Sequence, residues 1–71
     1  MSPELGRAVA AAVSAMTAWI EAERRCERGG LPIETVERAM RHAASCRDRL
    51  LAAVRHEAEA RCDGRSAREA A

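Results

Sequence analysis

The feature that most constrains this chain is the break Gly29-Gly30-Leu31-Pro32. On each side of it runs a long stretch with apolar residues at helical spacing and almost no other punctuation. So short a turn between two helices forces them to lie antiparallel, and the pattern predicts an all-α antiparallel helical hairpin. At 1.5 Å per residue, helices of about 26 to 31 residues would each be roughly 40 Å long.

The first helix is expected over about 3–28. Ser2 is suited to the N-cap, Pro3 to the first helical position and Glu4 to the positive end of the dipole. Its apolar stripe reads Leu5, Val9, Ala12, Met16, Trp19, Glu23, Cys26, with Val13 and Ile20 widening the face. Arg24, Arg25 and Arg28 suit the negative end of the dipole, and Gly29 or Gly30 can adopt the left-handed conformation that stops a helix. After a turn at 29–31, Pro32 opens a second helix expected to run to about residue 62, with Asp63-Gly64 as its cap. Its stripe reads Ile33, Val36, Met40, Ala43, Arg47, Leu50, Val54, flanked by Ala44, Leu51 and Ala58. Residues 63–71 lack any large apolar side chain and are expected to fray, so the whole chain reads as a single helical-hairpin domain.

A chain of 71 residues buries a small share of its surface and usually needs a disulfide, a metal or a partner for stability. The apolar share of 48% includes 17 alanines, so any core is narrow and Ala-lined. Both apolar faces are too wide for one partner helix, and two hairpins would bury them as a homodimeric four-helix bundle. The interface is assigned to Val9, Val13, Met16, Trp19, Ile20, Met40, Leu50, Leu51 and Val54. A larger protein could cover the same strip. Trp19, the only aromatic residue, is the expected hot spot of either surface.

Motifs for chemistry are sparse. Cys26, Cys46 and Cys62 are spread along the rod, which resembles neither a disulfide scaffold nor a zinc finger. His42 and Cys46 are four apart on one helix face and could form half of a metal-responsive site, completed only by a symmetry mate; no cofactor is assigned. Neither a catalytic dyad with an orienting third residue nor a phosphate-binding glycine loop stands out, and no enzyme is predicted. With no run of 18 apolar residues and no signal-peptide layout, the expected location is cytoplasmic, without membrane association.

Charge is segregated. The net charge is only +1, with twelve Arg and no Lys. From Arg38 to His56, however, five Arg face one acid, Asp48, while residues 3–28 balance four Arg against four Glu. Arg38, Arg41, Arg49 and Arg55 are therefore the candidates for contacts to a nucleic-acid backbone. In the competing reading they are a solvated face, Glu34 and Glu37 standing four residues before Arg38 and Arg41. Glu23 and Arg47 interrupt the apolar seams. They could pair across a dimer, or lie at the seam edge with their charges in water.

The functional expectation is a small non-enzymatic protein–protein interaction or regulatory module, an adaptor or a phage- or plasmid-type accessory protein that binds a larger partner. The alternatives are a nucleic-acid-binding bundle using helix 2 and a metal-responsive bundle using His42 and Cys46. A hairpin that dimerises into a four-helix bundle resembles in architecture the plasmid copy-control RNA-binding protein Rop, with no residue pattern that maps onto that family's RNA-contacting face.

Overall fold

The computed structural model describes residues 2–70, with side chains for residues 2–62. Two helices, α1 (Pro3–Glu27) and α2 (Ile33–Ala70), form an antiparallel hairpin 63 Å long and 15 × 13 Å across. Among the described residues there is no strand.

Local signals account for both ends of α1. Ser2 is extended (φ −71, ψ 153) and its Oγ accepts a hydrogen bond from the Leu5 N–H at 3.2 Å, which satisfies one of the free donors of the first turn. At the other end Gly29 has φ +79. The Gly30 N–H donates to the Arg25 carbonyl at 2.8 Å and the Gly29 N–H to the Cys26 carbonyl at 2.9 Å. This double closure is a Schellman motif, and it assigns the left-handed residue to Gly29 rather than Gly30. Pro32 stands just outside α2, its carbonyl accepting from the Thr35 N–H at 3.1 Å.

The seam between the helices differs from the one expected. On α1 the least exposed positions are Leu5, Ala8, Ala12, Ala15, Trp19, Ala22 and Cys26, and on α2 they include Val36, Ala39, Ala43, Cys46, Leu50, Ala53 and Glu57. Both sets alternate steps of three and four. They share every second position with the sequence reading, but Ala8, Ala15 and Ala22 replace Val9, Met16 and Glu23, while Ala39, Cys46 and Ala53 replace Met40, Arg47 and Val54. The reason is steric. A small side chain at every second position lets two backbones approach closely and gain dispersion contacts along their whole length, where Met or Val would hold them apart. Ala12, Ala15, Ala43 and Cys46 form the buried cluster, with Trp19 and Leu50 packed against it.

α2 also runs past its expected end. It continues through Asp63 and Gly64 to Ala70, where the sequence reading placed a cap and a frayed tail. One glycine costs a helix about 1 kcal/mol against alanine and does not stop it unless the backbone turns left-handed. Arg65, Ala67, Arg68, Glu69 and Ala70 are good helix formers. Ala71 and the side chains beyond Cys62 lie outside the described residues. α2 is thus 38 residues against 25 in α1, and its last turns extend beyond the start of α1.

Candidate interaction surface

Displacing the large residues from the seam puts them on the surface. Val13 is 59% exposed, Leu51 54% and Met16 50%, and Val9, Ile20, Ile33, Met40 and Val54 are exposed as well. Among the described residues no side chain is completely buried. Of the nine expected interface residues, only Trp19 and Leu50 pack into the hairpin's own core.

These exposed side chains lie on one flank. Val9, Val13, Met16 and Ile20 follow steps of four and three along α1, each one position on from a seam residue. On α2, Ile33, Met40, Arg47 and Val54 recur at intervals of seven, with Ala44 and Leu51 between them. Met16 and Trp19 of α1 and Met40, Ala44 and Arg47 of α2 line one open groove of about 420 Å³, which joins the two stripes on one side of the rod. Toward the turn Glu23, Cys26, Glu27, Ile33 and Val36 line a second concavity. Two helices present this face because each carries its apolar residues on an arc wider than one contact can cover.

Trp19 links the core to this flank. Its Nε1 is buried with no hydrogen-bond partner among the described residues. Such a donor costs about 1–3 kcal/mol, so the hairpin's own packing leaves part of the seam unsatisfied.

Glu23 and Arg47 are both exposed on the apolar flank and outside the seam. Arg47 reaches Asp48 at 3.3 Å, with both side chains well solvated.

The basic candidates occupy the outer surface of α2. Arg38, Arg41, Arg49 and Arg55 are all exposed, and among the described residues none has a carboxylate within 4.0 Å. The pairs Glu34–Arg38 and Glu37–Arg41 anticipated from spacing are not formed. The two ion pairs present are Arg47–Asp48 and Arg61–Glu57, the latter at 3.8 Å. Arg41 also lines the groove beside Met16 and Met40, at the border between basic and apolar surface.

His42 and Cys46 do meet, Nε2 standing 3.8 Å from Sγ. Cys46 is 4% exposed and serves as a small seam residue between alanines. Among the described residues no group of three His, Cys, Asp or Glu side chains converges on a point that could hold a metal. The three thiols are free, with Cys62 exposed and Cys26 half-buried.

At the open end, Glu57 takes the last seam position against the N-terminus of α1. The Ser2 hydroxyl, and to a lesser degree Arg61, hold its carboxyl below the usual value of 4.5. A carboxylate there also complements the positive end of the α1 dipole. Nothing in the local sequence marks Glu57, because its neighbour Ser2 stands at the far end of α1 in the chain.

Among the described residues, no helix is long and apolar enough to cross a membrane. The chain matches no protein-family model, no curated protein and no solved structure.

Proposed function

We propose that this protein is a non-enzymatic association module that works through the apolar flank, as a homodimeric four-helix bundle that engages a larger protein. The observation that carries this reading is the inversion of side-chain size: alanine and cysteine fill the hairpin's interior while eight larger apolar side chains face out. Those eight are each more than a third exposed and follow one flank of the rod, a concentration of large apolar side chains that soluble monomers seldom leave in water.

Light scattering after size exclusion tests the reading. A species of twice 7.7 kDa is expected at micromolar concentration, and Val13→Glu with Leu51→Glu should return it to monomer with its helices intact. A well-folded wild-type monomer at that concentration would overturn it.

A second reading is favoured by the unpaired arginines. Arg38, Arg41, Arg49 and Arg55 are free to contact phosphates, and α2 would stay exposed on the outside of a bundle. With no Phe, Tyr or Lys in the chain, binding would act through Arg contacts to the backbone of the nucleic acid. Retention of RNA or DNA at low salt, lost in Arg41→Glu with Arg49→Glu, supports this reading; no retention by the wild type removes it.

A further inference from the structure

The charges that frame the apolar flank are unevenly placed along the rod, and they bear on how a second copy would dock. Because the helices are antiparallel, neighbours across the seam have numbers that sum to about 60, as for Ala15 with Ala43 and Cys46 or Ser2 with Glu57. On this scale the densest part of the apolar strip runs from Ile20 and Met40 on the turn side to Val54 on the open side, with Ile33 standing apart beside the turn. Its middle is at Val13 and Arg47. Beyond the turn-side end the same flank carries Glu23, Glu27 and Glu37. Among the described residues none of the three has an ion-pair partner. Among the described residues the flank's charges toward the open end are Arg47, paired to Asp48, and Arg61, paired to Glu57 at 3.8 Å.

Two arrangements can stack this flank on its own copy by two-fold symmetry. With the axis along the rod, the two turns lie together. That sets Glu23 of one copy on Glu37 of the other, twice, and gathers six carboxylates at one end, where the cation bordering the flank is Arg41. With the axis across the rod through Val13, turn meets open end. Each acidic cluster then faces the end that carries Arg61 of the second copy, while Met16 lies over Val9, Ala44 over Leu51 and Met40 over Val54. Both arrangements bury the apolar strip, so apolar area does not separate them. Like charges held together at an interface rim do, because a partly desolvated repulsion is costly and an opposite-charge rim steers docking.

We infer that the occupant of the apolar flank is a second copy of this chain, docked turn to open end about a two-fold axis near Val13. This rests on the reading of the flank as an association surface. In this assembly each copy covers the other's hydrophobic strip, Arg47 lies near the axis already paired to Asp48, and the overhanging end of α2 projects past the neighbour's turn.

The orientation is tested by a distance. A spin label at Arg28→Cys, in a chain also carrying Cys26→Ser, Cys46→Ala and Cys62→Ser, reports on the turn. Docking turn to open end places the two labels about 45 Å apart along the rod, and docking turn to turn places them within about 20 Å. The long distance is expected, and the short one overturns the inference. An independent readout is the variant Glu23→Gln, Glu27→Gln, Glu37→Gln. If the acidic cluster faces Arg61 of the second copy, the dimer weakens severalfold; if the clusters face each other, it strengthens, and the orientation is refuted. A wild type that stays monomeric would instead overturn the underlying association reading, so the two failures are distinct.

Discussion

Single residues at the two ends of the hairpin define its geometry. Gly29 has φ +79, a region where a side chain costs about 1–2 kcal/mol, whereas a Cβ at Gly30 would meet only the Arg25 carbonyl at 3.4 Å. Gly29→Ala should therefore destabilise the protein by about 1–2 kcal/mol. Gly30→Ala should stay within about 0.5 kcal/mol, gaining from the stiffer unfolded chain what it loses to a tight contact. Urea denaturation followed by circular dichroism at fixed protein concentration checks both. At the open end, Glu57 has a folded pKa below its ordinary value of 4.5 because of the Ser2 hydroxyl and then Arg61. A depressed carboxylate contributes stability above its unfolded pKa and loses it as the pH falls through the folded one. Wild type should be more stable than Glu57→Gln at pH 7, with the difference shrinking below pH 4.5 and gone once the Glu57 carboxyl is protonated in both the folded and the unfolded state. A difference that persists at pH 2 would deny the ionised group this role. Gly29 was legible in the sequence as one of two choices. Glu57 was not, since nothing local announces that residue 57 returns to Ser2.

At the scale of elements, each helix carries two overlapping periodic sets, and the fold had to choose between them. Leu5, Ala12, Trp19 and Cys26 belong to both sets on α1, so their inward placement could be read from spacing alone. The intervening positions could not. Hydrophobicity favours Val9 and Met16 over Ala8 and Ala15, and a one-dimensional pattern has no term for how closely two backbones approach. In the structure that approach decides, and the larger residues move to the flank. Ala15→Leu should accordingly overpack the seam and cost about 1–3 kcal/mol, although it adds apolar volume. Met16→Ser, one position away, should leave the hairpin's helicity unchanged and weaken association instead. Chemical denaturation for the first and sedimentation equilibrium for the second separate the two effects. The expected stop at Asp63-Gly64 failed on a related ground, because glycine ends a helix only where the backbone turns left-handed, as at Gly29.

For the whole molecule, the consequence of that choice is a rod whose most adhesive surface faces outward. A 71-residue hairpin with no completely buried side chain among the described residues has little internal stability to draw on, and covering the flank would add burial that the interior lacks. Folding and association should then be coupled: each tenfold rise in protein concentration adds about 1.4 kcal/mol of apparent stability and raises the thermal midpoint. A midpoint independent of concentration over two decades would show that the hairpin folds as a monomer. Arg38, Arg49 and Arg55 lie away from the apolar flank and stay available to phosphate or to an acidic partner under either two-fold arrangement, while Arg41 borders the covered groove.

The division between sequence and tertiary structure follows from the range of the forces involved. Helix type, a turn at Gly29-Gly30, the N-cap at Ser2 and the antiparallel order are local consequences of spacing, capping and backbone freedom, and the sequence alone determined them. Which of two adjacent stripes forms the seam and the contact of Glu57 with the start of α1 depend on distances across the hairpin. Only the tertiary structure decided these, because steric fit between two surfaces is a property of the pair and is not written along either helix.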